Sequence, residues 1–275
     1  MSIFNSVMAT VQFELSRVCT LQRLMVAIVM ALFPPVMLFI LEMSNALAAP
    51  VFLISLFCGM VCLLSLLLWS TSNVYAELEG KSWTFITSRP HGRWSILFGK
   101  FLVAFGVSFL ISWVALTLSM VVTSEVEFFI FVSEDSPPLS KIAIWFYLSI
   151  LLCLASMVYA AIFSLLGVLI QRRAMAFAVV YFVVVEIILA LIPAIVGKFA
   201  MTFHMFCLLT HWVGWIGPVP QNEEERVMVE FIGLYGRQDA WIHLAVIFTM
   251  TFLTLAIASY VIRNREYLTL EDAQI

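Results

Sequence analysis

The sequence predicts an all-α integral membrane protein. The expected layout is six transmembrane helices, an N-terminal interfacial helix, and a short re-entrant or interfacial helix between spans five and six. Three observations carry this. Of 275 residues, 63% are hydrophobic and only 11% charged, with a mean hydropathy of +1.07, whereas a soluble domain carries about 25% charged residues. The apolar residues gather in runs of at least 18, the length that crosses a bilayer. Lys and Arg concentrate on alternate links between those runs. The net charge of −3 gives no case for a nucleic-acid partner, and membrane lipids are the expected surroundings. The whole chain, 1–275, reads as a single transmembrane domain.

Met1–Arg23 places Ile3, Phe4, Val7, Met8, Val11 and Leu15 at helical spacing among polar residues, the pattern of a helix lying in the interface. Its N-terminal part has neither a basic leader nor a small-residue cleavage site, so the first apolar run is expected to serve as an uncleaved anchor. That run, 24–41, spans roughly 27 Å at about 1.5 Å per residue. Pro34 and Pro35 should kink it, because proline breaks the hydrogen-bond ladder. The second span is 51–75 and the third 94–122, with Lys100 near its start and expected to snorkel to the headgroups. An acidic link follows, then spans at 141–170, 174–197 and 241–262. The five cysteines fall mostly inside apolar runs and read as small core residues rather than a disulfide framework.

Phe199–Gly217 is also apolar, and charge decides how to count it. With six spans and the N-terminus inside, ten of the 14 Lys and Arg lie on inner segments. A seventh crossing would move Arg263 and Arg265 outside and weaken that bias. Six spans with both termini cytoplasmic is therefore the reading. Residues 76–93 become a cytoplasmic loop, and 198–240 becomes an outer excursion.

The cytoplasmic loop carries the most specific signal. Glu77-x-Glu79-Gly80-Lys81-Ser82, then Thr87-Ser88-Arg89-Pro90-His91-Gly92-Arg93, then Gly99-Lys100 resembles the pattern of type-2 ABC transporter permeases. In that family an acidic segment precedes a proline turn and a Gly-Lys pair opens the third span. Gly80 following Glu79 directly, Lys81-Ser82 and Gly92 depart from the usual letters. The resemblance implies the membrane-spanning subunit of an ABC exporter, a homodimer or a pair with a similar permease, in the bacterial cytoplasmic membrane. It also implies that Glu77, Glu79, Gly80, Arg89, Pro90 and Arg93 couple the permease to a separate ABC ATPase subunit. Charge pairs there would fix register more than affinity. Gly80-Lys81-Ser82 is no phosphate loop, since Tyr75 stands where the first glycine of G-x-x-x-x-G-K-[ST] belongs. No cofactor is expected on this chain, and ATP and Mg belong on the partner subunit.

Two further features stand inside apolar sequence. Glu186 is a carboxylate deep in the fifth span, where burial costs roughly 3 kcal/mol. It should line the path or a subunit interface, or else bond as a neutral acid to a neighbouring helix. His204, Cys207 and His211 fall on one helical face with soft-ligand chemistry. The surrounding aromatics fit an interfacial belt better than a metal site. An intramembrane enzyme is disfavoured: there is no H-E-x-x-H, and neither His91 nor His243 has a partner at useful spacing. A non-transporting anchor or sensor using the same loop is the other alternative, and no catalytic residue is expected of it or of a permease.

Overall fold

The computed structural model describes residues 3–44, 50–70, 92–123, 139–170, 173–188, 198–213 and 239–264, with backbone only for 3, 4 and 92–94. Among the described residues all regular structure is helical. α1 is Ile3–Val18, α2 Leu21–Met43, α3 Pro50–Trp69, α4 Gly92–Val122, α5 Lys141–Leu169 and α6 Ala174–Tyr181. α6 runs on into a π-wound segment, Phe182–Ile188, and α7 (Met201–Val213) and α8 (Ala240–Asn264) complete the set.

Five of these helices, α2, α3, α4, α5 and α8, are long and apolar enough to cross a membrane. The expected fifth span appears as the shorter apolar stretch Ala174–Ile188, and 189–197 lies outside the described residues. Helix edges differ from expectation by a few residues, most at the end of α3, where Trp69 closes the helix and 71–75 lies outside the described set. Pro34 and Pro35 are buried inside α2, which continues helical past both.

α5 is the axis of the bundle, packed against α3, α4, α6, α7 and α8. Its sequence explains why. Ser156, Ala160, Ala161, Ser164 and Gly167 are small and buried, so neighbouring backbones approach closely, the usual means of helix association in lipid. Phe163 and Val158 fill the remaining space with no exposure. Ser70 Oγ lies 3.3 Å from the Ala160 carbonyl and 3.2 Å from Ser164 Oγ, tying the end of α3 to α5. Ser140 caps α5 by accepting from the Ala143 N–H. Lys141 Nζ donates to the Thr123 carbonyl at 2.7 Å, putting positive charge at the C-terminal end of α4, where the helix dipole favours it. Cys58, Cys62 and Cys207 are buried free thiols, as expected of core residues.

Candidate functional site: a carboxylate at the wall of an interhelical groove

The node begins with a local irregularity. Phe182-Val-Val-Val-Glu-Ile-Ile is rich in β-branched residues that crowd an α-helix, and the chain widens there into π winding, a form often found at functional sites. Glu186 sits in this turn, 2% exposed. Tyr159 of α5 donates to Oε2 at 3.0 Å, and Tyr181 donates to Oε1 at 3.1 Å. The Thr202 N–H donates to Oε2 at 2.8 Å. Thr202 Oγ1 lies 2.9 Å from the Glu186 carbonyl and 3.0 Å from Oε2, and its single hydrogen serves one of them at a time.

One of these contacts is a helix cap. Ala200 precedes α7 and has no side-chain acceptor for the first free N–H groups, so Glu186 supplies one from another element. A carboxylate there also meets the positive end of the helix dipole. Hydrogen bonds between helices in a membrane contribute about 0.6–1.7 kcal/mol each, so these donors offset a good part of an insertion cost of roughly 3 kcal/mol.

Beside the carboxylate lies a groove of about 370 Å³ between α3, α5, the π segment and α7. Phe52, Met60, Leu151, Met205 and Phe206 give it apolar walls, with Tyr159, Glu186 and Thr202 at one side. Volume and lining match the usual small-molecule site, mostly apolar with a few convergent polar groups.

A second polar contact fixes α7 to α8. His204 Nδ1 lies 2.9 Å from His243 Nδ1, and His204 Nε2 lies 2.8 Å from the Lys198 carbonyl. The carbonyl can only accept, so Nε2 of His204 carries the hydrogen and a neutral His204 accepts at Nδ1 from His243. With both ring nitrogens of His204 engaged, His204, Cys207 and His211 do not assemble as ligands. Among the described residues no group of three metal-ligating side chains gathers.

The third contact binds α1 to α4. Lys100 Nζ lies 3.0 Å from Glu14 Oε1, with side-chain exposures of 4% and 12%. One residue earlier, a Cβ at Gly99 would lie 2.8 Å from Thr10 Cβ and Cγ2, so the two helices touch where only glycine fits. Lys100 is thus buried and paired instead of snorkelling. Met8 and Phe13 of α1 remain exposed, consistent with an apolar face turned to lipid.

Of the residues singled out from sequence, Glu186 lies at the groove. Glu77, Glu79, Gly80, Arg89 and Pro90 lie outside the described residues, and for Arg93 only the backbone, in the first turn of α4, is described. Sequence reasoning missed Tyr159, Tyr181 and Thr202, and took His243 as partnerless although His204 meets it. None of these pairings leaves a spacing signature except Tyr181, five residues before Glu186.

A bundle in which five of the described helices are long and apolar enough to cross a membrane is that of an integral membrane protein. A family model described as ABC-2 family transporter protein matches residues 8–218. The chain belongs to that family. No curated protein matches it.

Proposed function

We propose that this chain is the permease subunit of an ATP-driven exporter, with six spans and both termini in the cytoplasm of a bacterium. Two copies, or one copy with a similar permease, form the path, and a separate ATPase subunit binds ATP and Mg. The observation that carries the reading is the family match over residues 8–218. The ordered groove beside Glu186 supports it by giving a substrate somewhere to sit within the spans. Glu77, Glu79, Arg89 and Arg93, around Gly80 and Pro90, form the docking surface for the ATPase. Arg93 opens α4, so movement of the ATPase would tilt that helix. α1, clasped to α4 through Glu14 and Lys100, would move with it.

Charge reversal tests the docking surface. In Glu79→Arg and in Arg93→Glu the ATPase subunit should either dissociate on purification or hydrolyse ATP without transport. Intact assembly and normal coupling in both variants would sink the proposed role of the loop.

A further inference from the structure

We propose that the groove beside Glu186 binds lipophilic cations: molecules with an apolar body and a single positive charge. The inference rests on the transport reading for its biological meaning, but the binding chemistry is argued from the groove alone.

Among the described residues that line the groove, Glu186 brings the one carboxyl group and there is no Lys, Arg or His, while the remaining lining is mostly aliphatic, aromatic or thioether. Glu186 is only partly used by its protein partners. Its Oε2 accepts from Tyr159 and from the Thr202 N–H, while among the described residues Oε1 accepts from Tyr181 alone. A carboxylate oxygen has two lone pairs, so Oε1 keeps one acceptor position. An apolar guest would leave the carboxyl group without a complement. An anion would find no Lys, Arg or His among the described lining residues. A neutral hydroxyl could satisfy the acceptor position, but a positive charge adds Coulomb attraction in a low-dielectric wall whether or not it donates a hydrogen bond. The complement is a cation.

The body of the guest follows from the walls. About 370 Å³ falls in the range of drug-sized sites, about 300–1,000 Å³. Met60 and Met205 add soft, adaptable surface that suits guests of varied shape. The approach is lateral. Phe52, Leu56 and Met60 line the groove and are 37%, 43% and 50% exposed, on a helix long and apolar enough to span the membrane. A lipophilic cation concentrated in the bilayer would therefore meet the groove from the side without crossing water.

The test uses the full-length permease in phosphatidylcholine nanodiscs with radiolabelled tetraphenylphosphonium, corrected for binding to empty nanodiscs. Tetraphenylborate, of the same shape and opposite charge, is the competitor. The wild type should bind the phosphonium saturably, with little displacement by the borate, and Glu186→Gln should weaken binding at least tenfold. Equal affinity in the wild type and Glu186→Gln, or equal binding of the two ions, would overturn the proposal. Because Glu186 also caps α7, Ala155→Trp provides a second variant that fills the groove and leaves those hydrogen bonds in place. Undiminished phosphonium binding in Ala155→Trp would overturn the proposal even if Glu186→Gln fails to fold. Co-purification of the ATPase subunit is scored separately. An assembled complex without charge-selective binding removes the cation site and keeps the transport reading, whereas selective binding by a permease that recruits no ATPase does the reverse.

Discussion

Glu186 and Lys100 are both ionisable groups buried in an apolar bundle, and they are satisfied in opposite ways. Lys100 meets an opposite charge, Glu14, at 3.0 Å, next to a helix contact so close that Gly99 has no room for a Cβ. Among the described residues Glu186 meets only neutral donors, two tyrosine hydroxyls and the amide and hydroxyl of Thr202, and an open groove lies alongside. The first arrangement cancels charge and fills space. The second satisfies a carboxyl group with hydrogen bonds and leaves space. A group paired with an opposite charge has little left for a ligand, whereas one held by neutral dipoles can still attract a cation. The α1–α4 contact is thus a structural clasp, and the Glu186 node is the candidate site.

The comparison can be broken at either end. The largest effect should come from Lys100→Met, which leaves Glu14 without its closest cationic partner. Breaking a buried pair costs about 3–5 kcal/mol when the remaining charge is left unpaired, but Arg17 stays 3.6 Å from the same Glu14 oxygen, so the loss should be smaller, about 2 kcal/mol. Thermal denaturation in detergent should show the loss, and the double variant Glu14→Gln with Lys100→Met should recover most of it. A double variant no more stable than Lys100→Met would mean that the pair is not what joins the helices. Phosphonium binding should persist in the double variant, because the clasp is remote from the groove.

A smaller effect is expected at the node. Tyr159→Phe removes one donor from Oε2 and leaves the other bonds to Glu186, so stability should fall by about 1.5 kcal/mol. Affinity for the cation should not fall with it, since the carboxylate has lost a competitor for its lone pairs. A Tyr159→Phe protein that is as stable as the wild type would show that the tyrosine bond contributes nothing, and one that loses cation binding would show that the Tyr159 hydroxyl, and not Glu186 alone, holds the cation.

The two regions also differ in how far the sequence exposed them. The spans were legible because lipid demands long unbroken apolar runs, and α2, α3, α4, α5 and α8 lie close to where those runs placed them. Glu186 was legible for the complementary reason, a carboxylate amid Val and Ile. Its partners were not. Tyr159 and Thr202 stand 27 and 16 residues away, and the π winding of Phe182–Ile188 shifts the helical phase, so a 3.6-residue period misplaces the face on which Glu186 lies. Lys100 was misread because its partner stands on a helix at the start of the chain. Only the packing of α1 on α4 reveals that a charge near a helix end points inward to an acid and not outward to headgroups. His204 and His243 illustrate the same limit, being 39 residues apart and joined only because α7 lies against α8.

The coupling role of residues 76–93 is the claim on which the functional account turns, and one measurement addresses it most directly. The permease is purified from its native membrane with an affinity tag, and the eluate is assayed for a co-purifying ATPase subunit and for ATP hydrolysis. The account predicts a stoichiometric ATPase, which Glu79→Arg either releases or leaves hydrolysing ATP without transport. A wild-type permease that elutes fully folded with no ATPase, under conditions that preserve other membrane complexes, would contradict it.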